Sequence, residues 1–63
     1  MTKQEQRNLN AAIRLAIRTD SLPFTFVDEH EKTYRQIVWR MGREMKRRYS
    51  VRKDGVRWEI NKI

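Results

Sequence analysis

The sequence predicts a small α+β domain with the order α-β-α-β-β, in which two helices pack on a small antiparallel sheet. Three observations support this fold class. Apolar residues recur at helical spacing in two stretches, a short run rich in β-formers lies between them, and an Asp54-Gly55 pair is typical of a tight hairpin. With 63 residues, we expect a single domain, 1–63, with a small core.

The first predicted helix covers about residues 3–18. Thr2 and Glu5 have the spacing of a capping box, which marks the start of a helix. An apolar stripe follows at i, i+3, i+4, i+7 and i+8, and it consists of Leu9, Ala12, Ile13, Ala16 and Ile17. We expect this stripe to face the core rather than to form a dimer or partner surface. Leu15 lies outside the stripe and is expected to be partly exposed.

A short strand is predicted at residues 24–27, because Pro23 blocks further helix and the next residues favour extended structure. Alternation along a strand places Phe24 and Phe26 on the same face. We interpret them as core residues rather than as a platform for stacked bases. A strand this short needs a neighbour, so we expect it to join the hairpin in a three-stranded antiparallel sheet.

The acidic stretch Asp28-Glu29-His30-Glu31 separates this strand from the second helix. Its negative charge suits the positive end of a helix dipole. A metal site at His30 is disfavoured, since one histidine without cysteine gives no zinc-type ligand spacing. A helical turn over residues 28–32 would give the element order of a winged helix-turn-helix.

The second predicted helix starts at Thr33, which forms a capping-box pair with Gln36, or near residue 29 if the acidic residues cap it. Its apolar arc consists of Tyr34, Ile37, Val38, Met41 and Met45. The opposite arc carries five cations and an exposed tryptophan, and it consists of Arg35, Gln36, Trp39, Arg40, Arg43, Lys46 and Arg47. Gly42 lies between the arcs, where it would allow close approach of helix 1 or of a phosphate backbone.

The hairpin is predicted with Asp54 and Gly55 as the two loop residues. This register places Arg52 opposite Arg57, a repulsion that an anionic ligand would relieve. One face carries Tyr49, Val51, Trp58 and Ile60, with Trp58 as the largest buried side chain. The other face carries Ser50, Arg52, Arg57, Glu59 and Asn61.

The charge is strongly positive and unevenly placed. The formal net charge is +7. Residues 1–31 hold four basic and five acidic side chains, whereas residues 32–63 hold eleven basic and three acidic ones. A basic surface concentrated on structured elements indicates a polyanionic partner, most often nucleic acid.

Chemical motifs point away from catalysis, because the two glycines form no phosphate loop and His30 is the only histidine. We therefore expect no enzyme and no cofactor.

The sequence predicts a cytoplasmic protein without membrane contact, since it has no cysteine and no continuous apolar run. We expect a monomer or weak homodimer that binds nucleic acid, DNA rather than RNA, with helix 2 in or along a groove of the duplex and the hairpin on its backbone. The predicted contact residues are Arg35, Trp39, Arg40, Arg43, Lys46, Arg47, Arg52, Lys53 and Arg57. The alternative is a protein that binds and inhibits or redirects a host protein, with Trp39 in the interface.

Four short motifs carry a resemblance to a known group of proteins, namely Gly42-Arg43, Arg48-Tyr49, Arg52 and Gly55-Val56-Arg57-Trp58. The segment that contains them resembles the C-terminal half of small phage-type and bacterial basic proteins, where a basic helix leads into a hairpin. The resemblance covers under half of the chain. It implies a phage or mobile-element origin, a winged-helix-like arrangement and a DNA-binding, regulatory role.

Overall fold

A computed structural model describes residues 2–28 and 34–63 of the chain. Its elements are α1 (Lys3–Arg18), β1 (Phe24–Val27), α2 (Tyr34–Met45), β2 (Tyr49–Asp54) and β3 (Arg57–Lys62). The α-β-α-β-β order confirms the predicted α+β fold class. Several expectations fall on residues outside the described ranges, namely the Thr33 cap, the dipole partners Glu29 and Glu31, the His30 site and the turn over 28–32.

Helix α1 begins and packs as its sequence predicts. The Thr2 hydroxyl accepts a hydrogen bond from the Glu5 backbone N–H at 3.1 Å and donates one to the Glu5 carboxylate at 3.1 Å. The apolar stripe faces the core, where Ile13, Ala16 and Ile17 are buried. Leu15 is 61% exposed, so the stripe is as narrow as predicted.

The three strands form one antiparallel sheet in the order β1-β3-β2. β1 pairs with the hairpin, as expected, and Phe26 lies opposite Trp58 in the central strand β3. β2 is therefore an edge strand. Both phenylalanines of β1 pack against the core rather than standing free on the surface.

The predicted hairpin register is wrong, although the predicted faces are right. Arg52 lies opposite Glu59, not opposite Arg57, and Asp54 stays in the ladder opposite Arg57. The loop is thus Gly55-Val56, and Gly55 has φ +62°. Glycine at the first of two central positions is the pattern of a type II′ turn, whereas the prediction assumed a type I′ turn.

Opposite charges explain why this register is favoured. Each strand residue meets a partner two positions further along than predicted, so the side-chain alternation is unchanged and the same apolar set faces inward. The supposed Arg52–Arg57 repulsion is replaced by two opposite-charge cross-strand neighbours, which stabilise a sheet rather than oppose it. Arg52 and Arg57 are not paired, so an anion is not needed to relieve repulsion between them.

Trp58 occupies the centre of the core and is fully buried, as predicted. Its ring stacks on Phe26 with centroids 6.0 Å apart and meets Tyr34 edge-on at 5.2 Å. These aromatic contacts join the central strand to β1 and to α2. Around them pack the other core residues of both helices and β3, which are Ile13, Ile17, Ile37, Val38, Met41 and Ile60.

Asp28 links three elements at the edge of this aromatic cluster. Its backbone N–H donates to the Val56 carbonyl at 2.9 Å, and its own carbonyl accepts from Trp58 Nε1 at 3.3 Å. Its buried carboxylate accepts a hydrogen bond from the Tyr34 hydroxyl. Burial and this bond to Asp28 raise the pKa of Tyr34 above its usual value.

Gly42 packs closely against the turn that follows its own helix, which explains the glycine at this position. Helix α2 ends in a Schellman-type turn, in which the Arg47 N–H donates to the Gly42 carbonyl at 2.9 Å. A Cβ on Gly42 would lie 2.8 Å from the Arg47 carbonyl oxygen and 3.7 Å from the Tyr49 ring. Glycine is needed here because the chain folds back on its own helix, so neither helix α1 nor a phosphate explains it.

Substitution of Gly42 by Ala is expected to destabilise the protein. Alanine raises helix propensity by about 1 kcal/mol, but overpacking against a backbone carbonyl costs about 1–3 kcal/mol. Urea denaturation should show a lower midpoint than in the wild type, with Gln36→Ala on the exposed face of the same helix as a near-neutral control. A higher midpoint for Gly42→Ala would refute the close approach.

Substitution of Tyr34 by Phe is expected to change how stability depends on alkaline pH. An unfolded tyrosine loses its proton near pH 10, whereas the folded one holds it longer, so Tyr34 makes the wild type lose stability as pH rises above about 10. Tyr34→Phe should be less stable at neutral pH, and the gap in stability to wild type should stay constant up to about pH 10 and narrow as pH rises further. Tyr49→Phe, which removes the other tyrosine, is the control, and a constant gap would contradict the assignment.

Candidate functional site

An open groove of about 610 Å³ runs between helix α2 and the edge strand β2. Five of its lining residues are arginine or lysine, and none is acidic. The lining residues are Arg35, Val38, Trp39, Gly42, Arg43, Lys46, Arg47, Arg48, Tyr49, Val51 and Ile63.

The turn after α2 brings one helix wall and one strand wall together. Lys46 has φ +55°, a left-handed conformation that reverses the direction of the chain directly after the last helical turn. The following residues therefore run back beside the helix and lead into β2, which places Arg47 and Arg48 at the end of the groove. Because Gly42 has no side chain, Tyr49 can lie close to the helix and form part of the lining.

Trp39 stands on the helix wall and is 62% exposed. The guanidinium carbon of Arg43, one turn further along, lies 5.0 Å from the centroid of its ring. This cation–π contact positions an aromatic surface among cations without burying it. Trp39 therefore packs on an arginine and remains exposed to solvent.

The strand wall presents backbone groups as well as side chains. The Ile63 N–H donates to the Arg48 carbonyl at 3.2 Å, so alternation turns the backbone groups of residues 49, 51 and 53 toward the open edge. Arg35 donates to one of them, the Val51 carbonyl, at 3.2 Å. Arg35 thereby links the first turn of the helix to the middle of the edge strand.

The groove cations are not neutralised by their neighbours. Among residues 2–28 and 34–63, the ion pair within 4 Å joins Lys62 to Asp20, which do not line the groove. Like charges gathered on a concave surface raise the local positive potential and attract anions. The groove therefore combines a concentration of positive charge with an exposed aromatic ring.

The structure brings five of the nine predicted contact residues together in the groove: Arg35, Trp39, Arg43, Lys46 and Arg47. Arg40 is exposed on α2 but does not line the groove. Arg52 and Arg57 project from the sheet face opposite the helices, as the alternation along their strands requires. Lys53 lies on the inner face, with its Nζ 5.4 Å from the centre of the Trp58 ring.

Sequence reasoning missed Arg48, Tyr49, Val51 and Ile63 as groove residues. Arg48 follows Lys46 and Arg47 directly, and this run of cations was an available signal. Tyr49 and Val51 were interpreted only as core residues, and they are half-buried because β2 is at the edge of the sheet. The strand order that exposes them cannot be read from the strand patterns alone.

Other kinds of site find little support in the part of the chain that the structure describes. No group of three or more histidine, aspartate or glutamate side chains there could hold a metal ion. Neither described helix combines the length and the apolar character that a membrane-spanning segment needs. Comparisons with protein-family models, curated proteins and solved structures found no match for this chain.

The turn that shapes the groove gives a stability prediction at Lys46. A left-handed conformation costs about 1 kcal/mol or more for a residue with a Cβ, and glycine avoids this cost. Lys46→Gly should therefore be more stable than Lys46→Ala by about 1 kcal/mol in urea denaturation. Both variants lose the same charge, so their difference isolates the backbone effect. Equal stability would show that Lys46 is not held in this conformation.

Proposed function

We propose that this protein binds nucleic acid through the groove between α2 and β2. The observation that carries the proposal is the groove lining, in which five cations and no acidic residue surround an exposed tryptophan. Arginine and lysine at such a site bind phosphates, and the release of condensed counterions drives the association. The net charge of +7 adds attraction at long range.

The clustering of the charges favours a binding role over a general solvated surface. Cations that serve solubility alone would be dispersed over the surface, because like charges held close together repel and destabilise the fold. Here Arg35 and Arg43 are additionally fixed, one by the Val51 carbonyl and the other by the Trp39 ring. Ordered guanidinium groups lose less side-chain entropy on binding a phosphate than free ones.

The arrangement changes the mode of binding expected from the sequence. That mode placed α2 in a duplex groove and the hairpin cations on the duplex backbone. Arg52 and Arg57 lie on the sheet face that points away from the helices, so they do not extend the surface formed by Arg43 and Arg47. The proposal therefore rests on the groove alone.

A protein partner is the second candidate, and one observation favours it. The backbone groups of residues 49 and 53 face the open edge of the sheet, and an extended peptide could pair there once Arg35 released the Val51 carbonyl. Affinity from backbone pairing and a buried tryptophan depends weakly on salt. Affinity from phosphate contacts falls steeply with salt, so salt dependence separates the two candidates.

The test compares two double variants with the same loss of charge. Arg43→Ala/Arg47→Ala removes two groove cations, and Arg52→Ala/Arg57→Ala removes two cations from the outer sheet face. Fluorescence anisotropy of labelled DNA, titrated at several salt concentrations, gives the slope of log affinity against log salt. The groove variant should bind more weakly, with a slope smaller by about 1.4–1.8, because each lost phosphate contact removes about 0.7–0.9. The outer-face variant should keep the wild-type slope.

Two results would refute the proposal. Equal losses in the two variants would mean that net charge alone attracts DNA, with no site in the groove. A wild-type protein that fails to bind DNA or RNA at low salt would remove the nucleic-acid function altogether. Circular dichroism of each variant verifies that the fold is intact before binding is compared.

A further inference from the structure

We infer that the groove holds one single strand of nucleic acid, with a base stacked on Trp39 and its phosphates on the surrounding arginines. The inference rests on the proposed function and specifies its ligand. It follows from the one-sided placement of the charges, from the exposure of Trp39 and from the open edge of β2.

Two of the three cations of α2, Arg35 and Arg43, lie on the same flank of the exposed helix face. At about 100° per residue, Arg35, Trp39 and Arg43 fall on the flank that faces β2. The other flank carries Gln36, Arg40 and Glu44, which are exposed and do not line the groove.

A helix in the major groove of a duplex lies between two phosphate backbones and meets charge on both flanks. The outer flank carries one cation, Arg40, and one acid, Glu44, so its charge does not match the second phosphate backbone of a duplex. The positive flank alone matches one backbone, which is the charge pattern of a single strand.

Trp39 offers a surface that a single strand can use and a closed duplex cannot. Its ring is 62% exposed, and Arg43 supports it from one face. Bases in a duplex are stacked on their neighbours, whereas an unpaired base can place its ring on an aromatic side chain with little regard to sequence. Cations beside a stacking aromatic residue are the usual arrangement of single-strand sites.

The opposite wall suits an extended chain. Backbone groups of residues 49 and 51 point to the open edge, and Arg48 lies at one end of that wall. Along the helix wall, the distance from Arg35 to Met45 at the end of α2 is about 15 Å at 1.5 Å per residue. The groove therefore accommodates a short stretch of strand rather than a long one.

The experiment titrates the full chain with fluorescein-labelled dT15 and with a labelled 15-base-pair duplex at the same salt concentration. Wild-type protein should bind dT15 more tightly than the duplex. Trp39→Ala should weaken binding of dT15 about tenfold. Trp39→Tyr, which keeps an aromatic ring, should restore most of the affinity. Leu15→Ala changes an equally exposed apolar residue outside the groove and should have no effect.

Tryptophan fluorescence adds a second measurement, because binding through charge attraction alone would not quench the emission of Trp39. Stacking should quench Trp39, while the fully buried Trp58 keeps its emission and reports that the fold is intact.

The outcomes separate the inference from the function on which it rests. Duplex binding at least as tight as that of dT15, or dT15 binding that Trp39→Ala leaves unchanged, would overturn the single-strand site and leave nucleic-acid binding standing. Absence of binding to both probes, and to a labelled oligouridine of the same length, at low salt would overturn the inference and the proposed function together.

Discussion

The burial of Trp58 is the interaction on which the rest of this structure depends. Its ring contacts Phe26 of β1 and Tyr34 of α2, which also contact each other, and its indole N–H donates to the Asp28 carbonyl. In a chain of 63 residues, the loss of one such side chain, about 3–5 kcal/mol by analogy with other cores, is comparable to the whole stability of a small domain. The central strand, the first strand and the second helix are thus held by one side chain.

This concentrated core leaves α2 free to present a second, unrelated surface. The helix buries Tyr34 and Val38 on one side and carries Trp39 on the other, so its two faces have separate tasks. The turn at its end, with Lys46 in a left-handed conformation, then brings β2 alongside. A groove arises because the chain reverses close to the helix. Arg43, Arg47 and Arg48 lie at or next to that reversal and line the groove.

Local patterns predicted the helices and the strand faces well, because capping and periodicity depend on residues close in the chain. The hairpin register was missed because Asp54-Gly55 fits two turns, and the pairing of Asp54 with Arg57 distinguishes them only in the folded sheet. Five of the residues predicted on the polar arc of α2 and just after it line the groove, and their contact with nucleic acid stays a prediction. The strand wall was missed because the position of β2 at the sheet edge depends on where β1 pairs.

The strand order also bears on how the chain folds as it is synthesised. β3 is the central strand, yet a ribosome makes it after both of its neighbours. Until it emerges, β1 and β2 have no partner between them, and the Phe26 ring has no indole to stack on. Vectorial synthesis can form the two helices early, but the sheet must assemble in a single late step.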